Sequence, residues 1–246
     1  MFESGKGLDC PAVEPDSIEG LRQLIATEST HCNELLEFYR SRNTSDLTNM
    51  DIFAELCWVV YSSGFRYSVV QRYWKSLANA YFSFRVEKVA QLAKNLQSNA
   101  RRICELSTFH NVRKAQWCIL NAQRVVELDR QLTYEGGLRG FVVELSKKSQ
   151  YELVEQIPDL IAAFQFKGIG STTMFHLLKN LGVDIFKPDR HLRRILFAWG
   201  LTDGFDASTS QICSAMEYLA AMTGARVNEL DTILFHYGQR TNQLRT

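Results

Sequence analysis

The stretch FKGIGSTTMFHLL, residues 166–178, interrupts a chain that reads as helix on both sides of it. Upstream, PDLIAAF (158–164) has a helical apolar pattern that opens on Pro158, placed as a first-turn proline. Downstream, TTMFHLLKNL (172–181) resumes the pattern and stops at Gly182. Between the two, Gly168 and Gly170 give the backbone access to positive φ, which an abrupt reversal needs. The expected unit is helix, short turn, helix. Amides near Gly168, Gly170 and Ser171 then lie at the positive end of the second helix without intrahelical acceptors. Phosphate is the natural ligand for such a cluster. Lys167 adds charge, and Ser171 and Thr172 add hydroxyl donors. Contacts of this type hold a nucleic-acid backbone in register without reading its bases.

Other meanings of paired glycines fit less well. A dinucleotide fingerprint needs a preceding strand and a third glycine, where Thr173 stands, and a phosphate-binding P-loop needs Gly-Lys-Ser/Thr, which is absent. A plain helical hairpin whose glycines only make the corner stays open.

Outward from the turn the chain stays helical. Two short helical stretches run from Ile18 to Arg40. Residues 52–63 are apolar nearly all round and follow Asp51, a plausible N-cap; residues 67–82 are amphipathic. Shorter helices follow at 85–96 and 100–106, then a long one over 111–128, after which Gly136, Gly137 and Gly140 loosen the chain. Ser149 caps the next helix, and the chain closes with helical patterns over 188–200, 207–222 and 227–238. With no alternating runs and only four prolines among 246 residues, an all-α fold is expected.

No 18-residue apolar run is present, and the first ten residues lack the basic-then-apolar layout of a signal peptide. The six cysteines, at 10, 32, 57, 104, 118 and 213, form no CxxC pair. This argues against a disulfide framework or zinc knuckle and for a reducing compartment, cytoplasmic or nuclear. The net charge of +1 is unevenly spread. The first fifty-five residues are acidic, whereas basic residues gather from Arg85 to Arg124 and again from Lys167 to Arg194. Such segregation suits a polyanion, although solvated helix faces produce it too.

Asp189, in FKPDRHLRRI (186–195), reads first as a helix N-cap after Pro188. The two roles are compatible, because a carboxylate held at a helix N-terminus is ionised and rotationally fixed. Such a group can stabilise a developing sugar cation and orient or deprotonate a water.

Taken together, GIGSTT (168–173) and PDRHLRR (188–194) resemble the paired motifs of the helix–hairpin–helix DNA glycosylase superfamily. NVRKAQWCILNA (111–122) looks like that family's Arg-x-Lys-Ala or Asn-x-Lys-Ala helix, and residues 52–74 resemble the helix–loop–helix at which its members begin their barrel. KAQWCILNAQ (114–123) and the glycine turn are most similar to 3-methyladenine DNA glycosylases. The likeness covers residues 50–200 or so. It implies two helical lobes with a cleft between them, one over 49–182 and the other joining 1–48 to 183–246. The implied activity is hydrolysis of the N-glycosidic bond of a flipped, damaged base, alkylated in the nearest relatives, with Asp189 as the catalytic residue. Lys167, Gly168, Ile169, Gly170, Ser171 and Thr172 would hold the DNA backbone. Trp58, Tyr61, Phe65 and Tyr67 would line the base pocket or fill the vacated stack. The partner is double-stranded DNA carrying a damaged base, bound by a monomer. No cofactor or metal is implied beyond a monovalent cation at the hairpin.

The chain also departs from the family. Thr172 stands where strand-cleaving members carry lysine, so no Schiff base forms and a monofunctional enzyme is expected. Cys213 is alone near the C-terminus, against the four cysteines of an iron–sulfur cluster. Val59 occupies the position of a glutamate used by 3-methyladenine enzymes, and their zinc ligands have no match, so the lesion does not transfer. A non-catalytic helix–hairpin–helix DNA-binding protein is the alternative.

Overall fold

A computed structural model describes residues 18–240, and every regular element among them is helical. In order these are α1 (Ile18–His31), α2 (Asn33–Ser41), α3 (Asn49–Ser62), α4 (Tyr67–Ala80), α5 (Val86–Ala90) and α6 (Leu96–Ser107). They are followed by α7 (Val112–Gln131), α8 (Gly137–Ser146), α9 (Gln150–Phe164) and α10 (Ser171–Asn180). The last three are α11 (Arg190–Ala198), α12 (Thr209–Thr223) and α13 (Val227–Arg240). No helix among the described residues is long and apolar enough to cross a membrane.

The described residues divide into two compact units, one over 41–187 and one that joins 18–40 to 188–240. The larger unit thus extends beyond the expected 49–182 at both ends. Side chains show why. Arg42 pairs with Glu55 at 3.1 Å, and Thr44 shares a hydroxyl hydrogen bond with Ser146 at 3.1 Å. Phe186 stacks on Phe175 with ring centres 5.7 Å apart.

In the larger unit α7 is the axis. Its 20 residues span about 30 Å, and it packs against α3, α5, α6 and α8. Ala115, Cys118, Ile119, Ala122 and Val125 are fully buried along it, and the small ones let neighbouring backbones approach. In the smaller unit α13 plays that part, meeting α1, α11 and α12. Ion pairs support it, in which exposed arginines reach buried carboxylates: Arg240 to Glu28 at 2.9 Å and Arg40 to Glu229 at 3.0 Å.

Three local expectations change. Asp51 is not the N-cap of α3. Thr48 is, and Asp51 closes a capping box, its carboxylate accepting from the Thr48 amide at 2.8 Å. The glycine-rich stretch at 136–140 starts α8 rather than loosening the chain. Leu138, Val142 and Leu145 bury one face, and Asp129 Oδ1 of α7 accepts from the Leu138 amide at 3.0 Å. Pro158 lies inside α9, not at its start. A proline there costs about 3 kcal/mol, because the Val154 carbonyl loses its donor. Burial of Leu153, Ile157, Leu160 and Phe164 on one face offsets it, each contributing roughly 1.5–3 kcal/mol.

Strain is concentrated just after α4. Phe82, Ser83 and Phe84 have φ of 53°, 54° and 58°, three left-handed residues in succession, each costing roughly 1–2 kcal/mol. Burial of Phe84, stacked on Trp74 at 4.9 Å, is what this turn gains.

Glu55 carries a pH dependence. It pairs with Arg42 and accepts from Asn180 Nδ2 at 3.0 Å, yet burial outweighs both and pushes its carboxyl up to about 6. The folded chain therefore holds this proton more tightly than the unfolded chain does. The resulting stability is complete below the ordinary 4.5 and is lost as pH rises through 6. In urea titrations from pH 4 to 7, Glu55 should lower stability by about 2 kcal/mol across that window. Glu55→Gln, which keeps the Asn180 contact, should remove that part of the slope. Identical slopes in both proteins would contradict the assignment.

Candidate functional site

The glycine turn is built on α7. Gln165, left-handed at φ 52°, ends α9. Arg124 satisfies the carbonyls left over there, its Nε donating to Phe164 O at 2.9 Å and its Nη2 to Ala163 O at 2.7 Å. One turn back along α7, Asn121 clamps Lys167 from both sides. Its Oδ1 accepts from the Lys167 amide at 2.6 Å, and its Nδ2 donates to the Lys167 carbonyl at 3.0 Å. One turn further back, the Trp117 ring lies under Gly168. A Cβ at residue 168 would sit 2.6 Å from Trp117 Cε3, and Gly168 has φ +77°. Both reasons require glycine.

Gly170 differs from expectation. Its φ of −110° is extended backbone open to any residue, and an added Cβ would meet nothing within 4 Å. It is the N-cap of α10, so the helix forgoes the side-chain cap that Ser or Asp would supply. Its own amide is taken, donating to Thr173 Oγ1 at 2.7 Å, while that hydroxyl donates to Gly170 O at 2.9 Å. The amides of Ser171, Thr172 and Thr173 precede the first intrahelical bond, from Met174 to Gly170, and so have no acceptor within the helix. Lys167, Gly170 and Ser171 are exposed and Thr172 is half-buried. Ile169 is not available to a ligand through its side chain, which is buried beneath the turn. The surface therefore offers three amides without helical acceptors, two hydroxyls and a lysine, a donor set for an anion.

The aromatic loop between α3 and α4 is anchored by the same helix. Lys114 is buried, and its ammonium donates to Ser63 O at 2.8 Å and to Val60 O, carbonyls at the end of α3. The same nitrogen lies 5.5 Å from the Phe65 ring centre. Burial lowers the Lys114 pKa. Phe65 and Tyr67 are 40% and 51% exposed, side by side on this loop. Trp58 is half-buried, edge-on to Tyr67 at 5.3 Å and to Trp74 at 4.9 Å. Tyr61 corrects its expected role. It is fully buried, its hydroxyl shares a 2.9 Å hydrogen bond with that of Tyr81, and Phe109 packs edge-on at 5.1 Å. It is a core residue and reaches no ligand.

Lys114, Trp117, Asn121 and Arg124 fall at spacings of three, four and three, one stripe along α7. Sequence reading missed Trp117, Asn121 and Arg124 as the supports of the turn. The available signal was polar residues recurring at core spacing in a helix with buried neighbours. On α10, His176 lies one turn beyond Thr172. Desolvation, with Lys187 and Lys179 adding to it, lowers its pKa well below the usual range, so its imidazole is neutral.

In the smaller unit Asp189 is the N-cap of α11, as its sequence suggests. Its Oδ1 accepts from the amides of His191 at 2.8 Å and Leu192 at 3.2 Å, which fixes the carboxylate, and the residue is only half-buried. His191 is packed, its ring 5.5 Å from Phe235. Among the described residues no group of His, Cys, Asp and Glu has the arrangement of a metal site.

Comparison with protein-family models, curated proteins and solved structures gave no match to this chain.

Proposed function

We propose that the chain is a monofunctional DNA glycosylase, which hydrolyses the N-glycosidic bond of a flipped, damaged base. The observation that carries this reading is the turn at 165–170. It is locked by three α7 side chains, and it presents the unsatisfied amides of Ser171, Thr172 and Thr173 behind an N-cap glycine that the fold itself does not demand. A close-approaching phosphodiester explains that glycine, since a side chain there would stand between phosphate and amides. The exposed Phe65 and Tyr67 supply rings that can stack on bases or fill the space a flipped base leaves. The capped carboxylate of Asp189 supplies the remaining chemistry. It faces the sugar as positive charge develops at the anomeric carbon and takes a proton from the attacking water. The base departs with its bonding electron pair, needing no general acid when alkylation has already made it cationic. Thr172 has no amine, so the abasic product keeps an intact strand.

The test is incubation of the protein with duplexes that each carry one lesion, alkylated or deaminated. Release of free base, with strand breakage only after alkali, is the expected result. Tight DNA binding with no base released from any lesion would leave the protein a binding module.

A further inference from the structure

We infer that Arg113 is a second DNA-phosphate contact beside the glycine turn, held in position by the Trp117 ring. The inference rests on the proposed gripping of DNA by that turn and adds a residue to it. Arg113 is exposed on the first turn of α7. Its guanidinium carbon lies 5.1 Å from the centre of the Trp117 ring. The same ring contacts Gly168, where a Cβ would come within 2.6 Å of Cε3. One indole therefore supports both the turn and the cation, and fixes their separation.

The two arginines nearest this ring along α7 are used differently. Arg124 is occupied by Phe164 O, Ala163 O and Glu127. Arg113 has no carboxylate or carbonyl partner among the described residues, and the ring is what orders it. A guanidinium over a ring face keeps its N–H donors for another acceptor, and a phosphate can take two of them at once. It also restricts a side chain that would otherwise lose considerable rotamer freedom on binding. The ligand this arrangement suits is a phosphodiester next to the one on the turn. Lysine, a point charge on a flexible stem, would not be held in the same way.

Equilibrium binding of lesion-free duplex across a series of salt concentrations tests this. Arg113→Ala should bind roughly tenfold more weakly at 0.1 M salt, and the slope of log K against log salt should fall by about one. Arg113→Lys should restore the slope and only part of the affinity. Because residue 113 is exposed on a helix surface, thermal midpoints should match wild type. Wild-type binding with Arg113→Ala equal to it in affinity and slope would overturn the role of Arg113 and leave the turn's role standing. No salt-dependent binding by the wild type would overturn both.

Discussion

Asp189→Asn should leave the fold intact and slow base release by roughly 10²–10⁴-fold. The substitution separates the cap that this side chain forms from the catalytic role proposed for it. Oδ1 accepts from the His191 and Leu192 amides, and an asparagine oxygen accepts equally well, so α11 keeps its cap. The thermal midpoint and lesion-free DNA affinity should be those of wild type. In the proposed reaction, what is lost is the negative charge that stabilises the sugar cation and the base that accepts the water's proton. Single-turnover excision at saturating protein reads the chemical step without interference from binding. An asparagine variant that excises at the wild-type rate would reduce Asp189 to a helix cap.

The two glycines of the turn should fail in different ways. Gly168→Ala forces a non-glycine residue to φ +77° and drives its Cβ into Trp117, with 2.6 Å to the nearest ring atom. The left-handed backbone costs roughly 1–2 kcal/mol and the overpacking a further 1–3, so a loss of about 3 kcal/mol in unfolding free energy is expected. Gly170→Ala meets neither obstacle, and only the poorer N-cap should cost it, about 1 kcal/mol or less. It should nevertheless weaken DNA binding, because the new methyl group occupies the approach to the amides of Ser171–Thr173. Urea unfolding and duplex binding on the two variants distinguish a fold glycine from a ligand glycine. Equal DNA affinity in Gly170→Ala and wild type would contradict the phosphate assignment.

The helices were legible wherever apolar spacing was regular, as in α7, α10 and α11, and Asp189 was readable as a cap because Pro188 holds the chain extended before it. Local rules failed where tertiary contacts override them. Pro158 looks like a helix start, yet the buried face of α9 carries the helix through it. Asp51 looks like a cap because Asp caps helices, but Thr48 three residues earlier takes that place and leaves Asp51 as its partner. Gly168 and Gly170 look equivalent, while only the first is pressed against a ring. Tyr61 lies in a helix apolar on nearly every side, so spacing could not say that it faces Tyr81 and Phe109. The supports of the site were the least legible part. Asn121 and Arg124 act on backbone atoms 39 to 46 residues away in sequence, at residues 163–167, and polar residues on a helix read as surface unless their partners are known.

Affinity for a charged mimic of the reacting sugar tests most directly the proposed role of Asp189 in stabilising a sugar cation. A duplex carrying a pyrrolidine abasic analogue places a positive charge at the reacting position, and a tetrahydrofuran abasic site is its neutral counterpart. Wild-type protein should bind the cationic duplex at least 100-fold more tightly than the neutral one. Asp189→Asn should erase that difference while keeping the affinity for the neutral duplex. Equal binding of the two duplexes by wild type, or a preference that survives in Asp189→Asn, would contradict the claim.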